Sequence, residues 1–179
     1  MLSRQRNSPI SRIPARISMT SDALIITDPH AQLARLGLSL PTAPKPVAAY
    51  VPAVRSGNLL YVSGQLPFQN GQLLATGAVP SLVSVETARE AARQCFLNGL
   101  AVIADQLGGD LKRVRRVVRL GVFVQSDDGF GDQPKIANGA SELCAEVFGE
   151  AGRHARAAVG TNALPLNATV EIEFLVEVD

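Results

Sequence analysis

The nine residues from Val170 to Val178 limit the choice of fold more than any other stretch. Val170, Ile172, Phe174, Val176 and Val178 alternate with Glu171, Glu173, Leu175 and Glu177. Successive strand side chains point to opposite faces, so this segment predicts a strand with one apolar face and one face carrying three glutamates. The apolar face needs helices over it, and the acidic face must meet water or a partner. Val114 to Gln125 is different. Val117, Val118, Leu120, Val122, Phe123 and Val124 put apolar groups on both faces, as a central strand does. Two amphipathic helices supply the cover. Over 84–107, Ala92, Cys95, Phe96, Leu100, Ile103 and Leu107 share one face, Ser84 can cap the start, and Gly108-Gly109 ends it. A second helix starts near Asp132 with Pro134 in its first turn. It carries Ile136, Ala140, Leu143, Cys144, Val147 and Phe148 on one side and closes at Gly149 and Gly152.

The remaining strands are shorter. Ala49 to Val54 and Leu59 to Ser63 flank Ser56-Gly57-Asn58, a favoured tight-turn sequence for a hairpin. Asn70-Gly71 marks another turn before a short strand around Gln72 to Leu74, and Ala155 to Val159 is a further strand. A short helix fits Asp28 to Leu36, closed by Gly37, and the three prolines of residues 41–46 make an extended lead-in. The order ββ(β)αβαββ predicts an α+β fold with two helices packed on one sheet face. We divide the chain into a basic tail (1–18), an N-terminal helix and lead-in (19–46) and one domain (47–179).

Residues 1–21 hold Arg4, Arg6, Arg12 and Arg16 and no acid before Asp22. A mitochondrial-type transit peptide, a nucleic-acid arm, or an upstream start codon with Met19 opening the protein all fit that composition. Removing those four arginines from 17 basic residues leaves 13 against 16 acidic, a net charge of −3 instead of +1. That balance gives no support for a phosphate-binding surface, so no nucleic-acid partner is expected. No apolar run approaches the roughly 18 residues of a membrane-spanning helix, and no apolar segment of secretory type precedes the domain. Cytoplasmic residence without membrane attachment is the expectation. The two histidines, His30 and His154, and the two cysteines, Cys95 and Cys144, lack metal-site spacing, so neither a metal nor another cofactor is expected. The cysteines sit on the apolar faces of the two helices as small core residues that could face each other.

At this point the residues resemble a known family. Asn58-Leu59-Leu60-Tyr61-Val62-Ser63-Gly64-Gln65-Leu66-Pro67 is similar to a characteristic strand of the YjgF/RidA family, the reactive-intermediate imine deaminases. Arg156-Ala157-Ala158-Val159, followed by Leu164-Pro165 and Val170-Glu171-Ile172-Glu173, resembles its C-terminal signature. Gly108 to Val124 resembles the stretch between. The resemblance implies a chorismate-mutase-like fold and a homotrimer with sites in clefts between subunits. It also implies hydrolysis of 2-enamino or 2-imino acids such as 2-aminoacrylate to 2-oxo acids and ammonia.

Such a substrate carries a carboxylate beside a C=N bond. Arg156 matches the family's carboxylate-binding arginine, and a guanidinium suits the task because its fork meets two oxygens and stays charged. The residues alone favour an ion pair of Arg156 with Glu171 or Glu173 across the sheet, and the resemblance reverses that preference. Glu171 matches the family's cleft glutamate, with the role of holding water or moving a proton; alternation alone makes it a solvent-facing glutamate. Tyr50 matches a tyrosine lining the cleft, against the alternative of a half-buried strand residue. Ser63, Gly64 and Gln65 would shape the cleft floor, with Gly64 allowing close backbone approach or marking a bulge. Ala158 stands where many members have cysteine, so only its main chain can act there. The stretch Gly129 to Asn138, which runs into the start of the second helix, is longer than in short members, and His154 either reaches the cleft or is a loop residue without chemistry. The catalytic candidates are therefore Arg156 and Glu171, with Arg156, Tyr50, Ser63, Gly64 and Ala158 binding substrate. A second function fits the same cleft: binding a carboxylate metabolite without turnover, as a regulatory module. A ribonuclease reading lacks a basic groove, aromatics for base stacking and a histidine pair.

Overall fold

A local cap opens the first element. Asp28 Oδ1 accepts the His30 N–H at 3.0 Å, and helix α1 (Pro29–Arg35) follows with its proline at the start. The computed structural model describes residues 28–43 and 50–179. The basic tail, Met19, the last three residues of the proline-rich lead-in and Ala49 lie outside them.

The hairpin forms from β1 (Ala53–Ser56) and β2 (Leu59–Gln65), and Gly57 takes the positive φ (62°) that its turn demands. A small ribbon, β3 (Phe68–Gln69) with β4 (Gln72–Leu73), closes around Asn70 and Gly71, also at positive φ. Helix α2 (Val85–Gln106) starts where Ser84 Oγ accepts the Thr87 N–H at 3.1 Å. Strand β5 (Val114–Gln125) leads to α3 (Gln133–Phe148) and a 3-10 turn, Gly149–Gly152. Strands β6 (Ala155–Thr161) and β7 (Val170–Val178) finish the chain.

Five strands make one mixed sheet in the order β1-β2-β7-β5-β6. Every pairing is antiparallel except β5 with β6, where α3 provides the crossover. The alternation of β7 is realised residue by residue: Val170, Ile172, Phe174, Val176 and Val178 are buried, and the residues between them are half-buried. Helices α2 and α3 cover the buried face, and α2 approaches β7 closely at Gly99, where an added Cβ would lie 2.3 Å from the Phe174 ring. The two helices pack as closely on each other at Gly139, where a Cβ would fall 2.1 Å from the Arg89 carbonyl oxygen. The cysteines are both buried, but each thiol donates to a separate backbone carbonyl, Cys95 to Val170 and Cys144 to Gly152. Burial pushes both thiols well above the ordinary cysteine range, so they are core residues.

Candidate active site

Strand register decides which candidates share a face. In the parallel pairing, Arg156 lies beside Leu120 and Ala158 beside Val122. Leu120 and Val122 are fully buried under the helices, so Arg156 and Ala158 are on the helix side of the sheet, on its edge strand. Glu171 lies beside Phe123 and Glu173 beside Gly121, on the opposite, open side. The ion pair of Arg156 with Glu171 or Glu173 that the sequence allowed is therefore ruled out by the sheet itself. Glu173 instead accepts from Arg119 Nη1 at 2.7 Å.

Arg156 is exposed and folded back onto α3. Its Nη1 donates to Asn138 Oδ1 and to Ser141 Oγ, each at 3.0 Å, and its Nη2 approaches the Pro134 carbonyl oxygen at 3.4 Å. Pro134, Asn138 and Ser141 fall at i, i+4 and i+7, one stripe of the helix. All three acceptors are neutral, and among the described residues Arg156 has no carboxylate partner. The donors left over are Nε and the remaining N–H of Nη2, which together form the side edge of the guanidinium, a two-pronged fork. Asn138 and Ser141 were not picked out from the sequence. Their helical spacing was visible there, but the contact with Arg156 depends on the crossover returning β6 beneath α3.

Behind Ser141 stands His154. Its Nε2 is 3.0 Å from Ser141 Oγ and its Nδ1 is 2.6 Å from the Gly152 carbonyl oxygen. The half-buried ring has its pKa lowered, first by burial and also by the Arg156 charge.

The open face holds the other candidates. A bulge in β2 between Val62 and Gln65 shifts the register against β7 and places Gly64 against Glu171. A Cβ on Gly64 would lie 1.7 Å from Glu171 Oε1, so the glycine meets both expectations, a bulge and a close approach. Burial, and then repulsion from Glu173, raises the Glu171 carboxyl above the usual carboxylate range. Ser63 Oγ donates to the Val51 carbonyl at 3.0 Å, which ties the segment following the exposed Tyr50 to the same bulge. Gln65 turns to the core side and its amide donates to the Ser63 carbonyl. Val54, Tyr61 and Val159 stay exposed on this face, and a hollow of about 350 Å³ opens between Val54, Tyr61, Ser63, Arg119, Glu173 and Leu175. The candidates thus fall into two groups, Arg156 with Ala158 on the helix side of the sheet and Glu171, Gly64 and Ser63 on its open side.

Several basic residues around β5 are held by partners within the chain. Arg115 pairs with Asp179, Lys112 with Asp28 and Arg119 with Glu173, while Arg113 donates to the Leu107 and Asp179 carbonyls. Among the described residues, no group of three or more His, Cys, Asp or Glu side chains gathers as a metal site, and no helix is long and apolar enough to cross a membrane.

The profile described as "YjgF/chorismate_mutase-like, putative endoribonuclease" matches residues 30–178. The chain belongs to the YjgF/RidA family. Protein TCP17 of Trypanosoma cruzi is 47% identical to it over 150 residues, covering 83% of this chain and 93% of that protein. A relative named 2-iminobutanoate/2-iminopropanoate deaminase, from Dermatophagoides farinae, is 32% identical over 143 residues, covering 79% and 95%. The solved structure of Atu1372, a protein of unknown function from Agrobacterium tumefaciens, matches with a TM-score of 0.80 at 50% identity, covering 84% of this chain and 92% of that one. The α+β sheet with its helical cover is thus the fold of this family.

Proposed function

We propose that this YjgF/RidA member hydrolyses 2-enamino and 2-imino acids, such as 2-aminoacrylate, to 2-oxo acids and ammonia, in sites that join two copies of the chain within a homotrimer. The observation that carries this reading is the Arg156 fork: an exposed guanidinium fixed by three neutral oxygens, with one bidentate edge open and, among the described residues, no carboxylate compensating its charge. A substrate carboxylate fits that edge with two parallel charge-assisted hydrogen bonds. The deaminase name of the Dermatophagoides farinae relative supports the same chemistry.

The step needs a proton donor and a directed water. An enamine takes a proton on its methylene carbon and becomes an imine. Water adds to C2, the C–N bond breaks as the nitrogen takes up protons, and the oxygen keeps the carbon as a 2-oxo acid. Glu171 of a neighbouring copy is the group for the proton transfers, because its raised pKa brings it nearer the working pH. Gly64 leaves the space in which that carboxyl lies, and Ser63 with Tyr50 lines the approach. Ala158 contributes main-chain groups only. On β6, an edge strand, alternate peptide groups point outward from the sheet, available to hold the water or substrate nitrogen.

The test couples a serine or threonine dehydratase, which releases 2-aminoacrylate, to this protein and follows the rate of pyruvate release. Native protein is expected to accelerate it, and Arg156→Ala to abolish the acceleration. Acceleration that survives in Arg156→Ala removes Arg156 as the anchor. Absence of acceleration on several imino acids, together with binding of a 2-oxo acid, replaces the enzyme by the binding module.

A further inference from the structure

We propose that Ser141 and His154 are positioning residues for Arg156, and that protonation of His154 loosens the guanidinium so that carboxylate binding at this site weakens on acidification. The proposal rests on the reading of Arg156 as the carboxylate anchor. It starts from donor and acceptor bookkeeping along one line of groups: the Gly152 carbonyl, His154, Ser141 and Arg156.

A carbonyl oxygen only accepts, so the proton between it and His154 sits on Nδ1. In the neutral ring Nε2 is then an acceptor. The Ser141 hydroxyl donates to it at 3.0 Å and keeps a lone pair for Arg156 Nη1, also at 3.0 Å. Every donor in the line meets an acceptor. Adding a proton to Nε2 reverses one link. Ser141 Oγ then receives a hydrogen from each side, its own proton must turn elsewhere, and one oxygen stands between two cations. Asn138 and the Pro134 carbonyl remain as holders of the guanidinium, so it is loosened rather than lost.

Among the described residues, no nearby carboxylate is free to offset the added charge. On the 3-10 turn, Glu150 pairs with Arg153 at 2.9 Å. On α3, Glu142 is committed to Arg89 of α2, and Asp132 to Lys135. On β6 the charged group facing the ring is Arg156 itself. The lowered pKa of His154, from burial and the Arg156 charge, agrees with a ring that is neutral at pH 7 and takes its proton below the ordinary histidine value.

The experiment measures the Kd of 2-oxobutanoate, a stable 2-oxo acid, by calorimetry between about pH 5 and 8. It uses the native protein, His154→Gln, Ser141→Ala and Ser141→Thr, with the Arg156 Nε–H and His154 ring resonances followed by NMR in the same samples. Gln places a neutral acceptor where Nε2 stood. Native protein is expected to lose about tenfold in affinity across the His154 titration, the fold-change of weakening one charge-assisted hydrogen bond. His154→Gln should lose the weakening that follows the His154 titration and keep only the pH dependence that the Glu171 carboxyl adds, Ser141→Ala should bind weakly at every pH, and Ser141→Thr like the native protein. The Arg156 Nε–H signal should shift with the His154 titration in native protein and stay fixed in His154→Gln. Identical pH dependence in native protein and His154→Gln overturns the proposal, as does an Arg156 signal indifferent to that titration. If no 2-oxo acid binds at any pH while the Arg156 signal still follows His154, the relay stands and the anchor reading falls.

Discussion

Arg156 and Glu171 would bring opposite problems to the proposed reaction. Arg156 is costly to order, and three neutral acceptors on α3 fix it without cancelling its charge. Glu171 is kept in a site that disfavours its ionised form. Because its folded-state pKa is raised, its contribution to stability is present at pH values below its unfolded pKa and is lost as pH rises through the folded value. At neutral pH the ionised carboxylate therefore destabilises the fold. Glu171→Gln is expected to raise Tm at pH 7, modestly because the group is about half exposed, with the gain vanishing in acid. The same variant should lower deaminase turnover by roughly 10²–10⁴-fold, the usual contribution of a positioned proton-transfer group. A Tm unchanged from pH 4 to 8 would contradict the first part, and full turnover the second. At this scale the sequence made Arg156 and Glu171 legible only through family motifs. Composition allowed them to pair with each other, and strand register alone, beside Leu120 and beside Phe123, shows that they cannot within one chain. The Ser141 and Asn138 contacts were hidden for a related reason: they join residues 15 and 18 positions away from Arg156 across a crossover.

Among the elements, periodicity and caps carried most of the fold. The alternation of β7, the Ser84 cap of α2, the Asn70-Gly71 turn and the two-sided apolar character of β5 all appear where the residues placed them. The bulge in β2 was open, since Gly64 served equally as a bulge or a point of close approach, and pairing with β7 made it both. Helix contact depth was not legible either. Gly139, which the sequence does not single out, lets α3 sit against the α2 backbone. Gly139→Ala puts a methyl 2.1 Å from the Arg89 carbonyl oxygen, a main-chain atom with no rotamer to escape into. The helices must part, at an overpacking cost of about 1–3 kcal/mol. Thermal unfolding should show Tm falling by about 2–4 °C per kcal/mol in a chain of this size. An unchanged Tm would mean that the two helices are less tightly apposed than described.

For the whole molecule, the decisive feature is that the candidate residues lie on two sides of one sheet. Val54, Tyr61 and Val159 are exposed on the open face beside Glu171, and Arg156 hangs from the edge strand at the far side. In the proposed assembly, cyclic symmetry lets the edge of one copy meet the open face of the next. The sequence indicated a face in need of cover through the striped β7, but the threefold number came from the family resemblance alone. Two-copy sites make a strong prediction about mixtures. Arg156→Ala and Glu171→Gln are each expected to be inactive as pure proteins. Unfolded together in equal amounts and refolded, they should recover about a quarter of native turnover, because in a ring each site draws its arginine and its glutamate from different, randomly chosen chains. Recovery near that fraction would establish that the reaction takes place between subunits. No recovery, from mixed oligomers shown by mass spectrometry to contain both variants, would contradict the account at its centre.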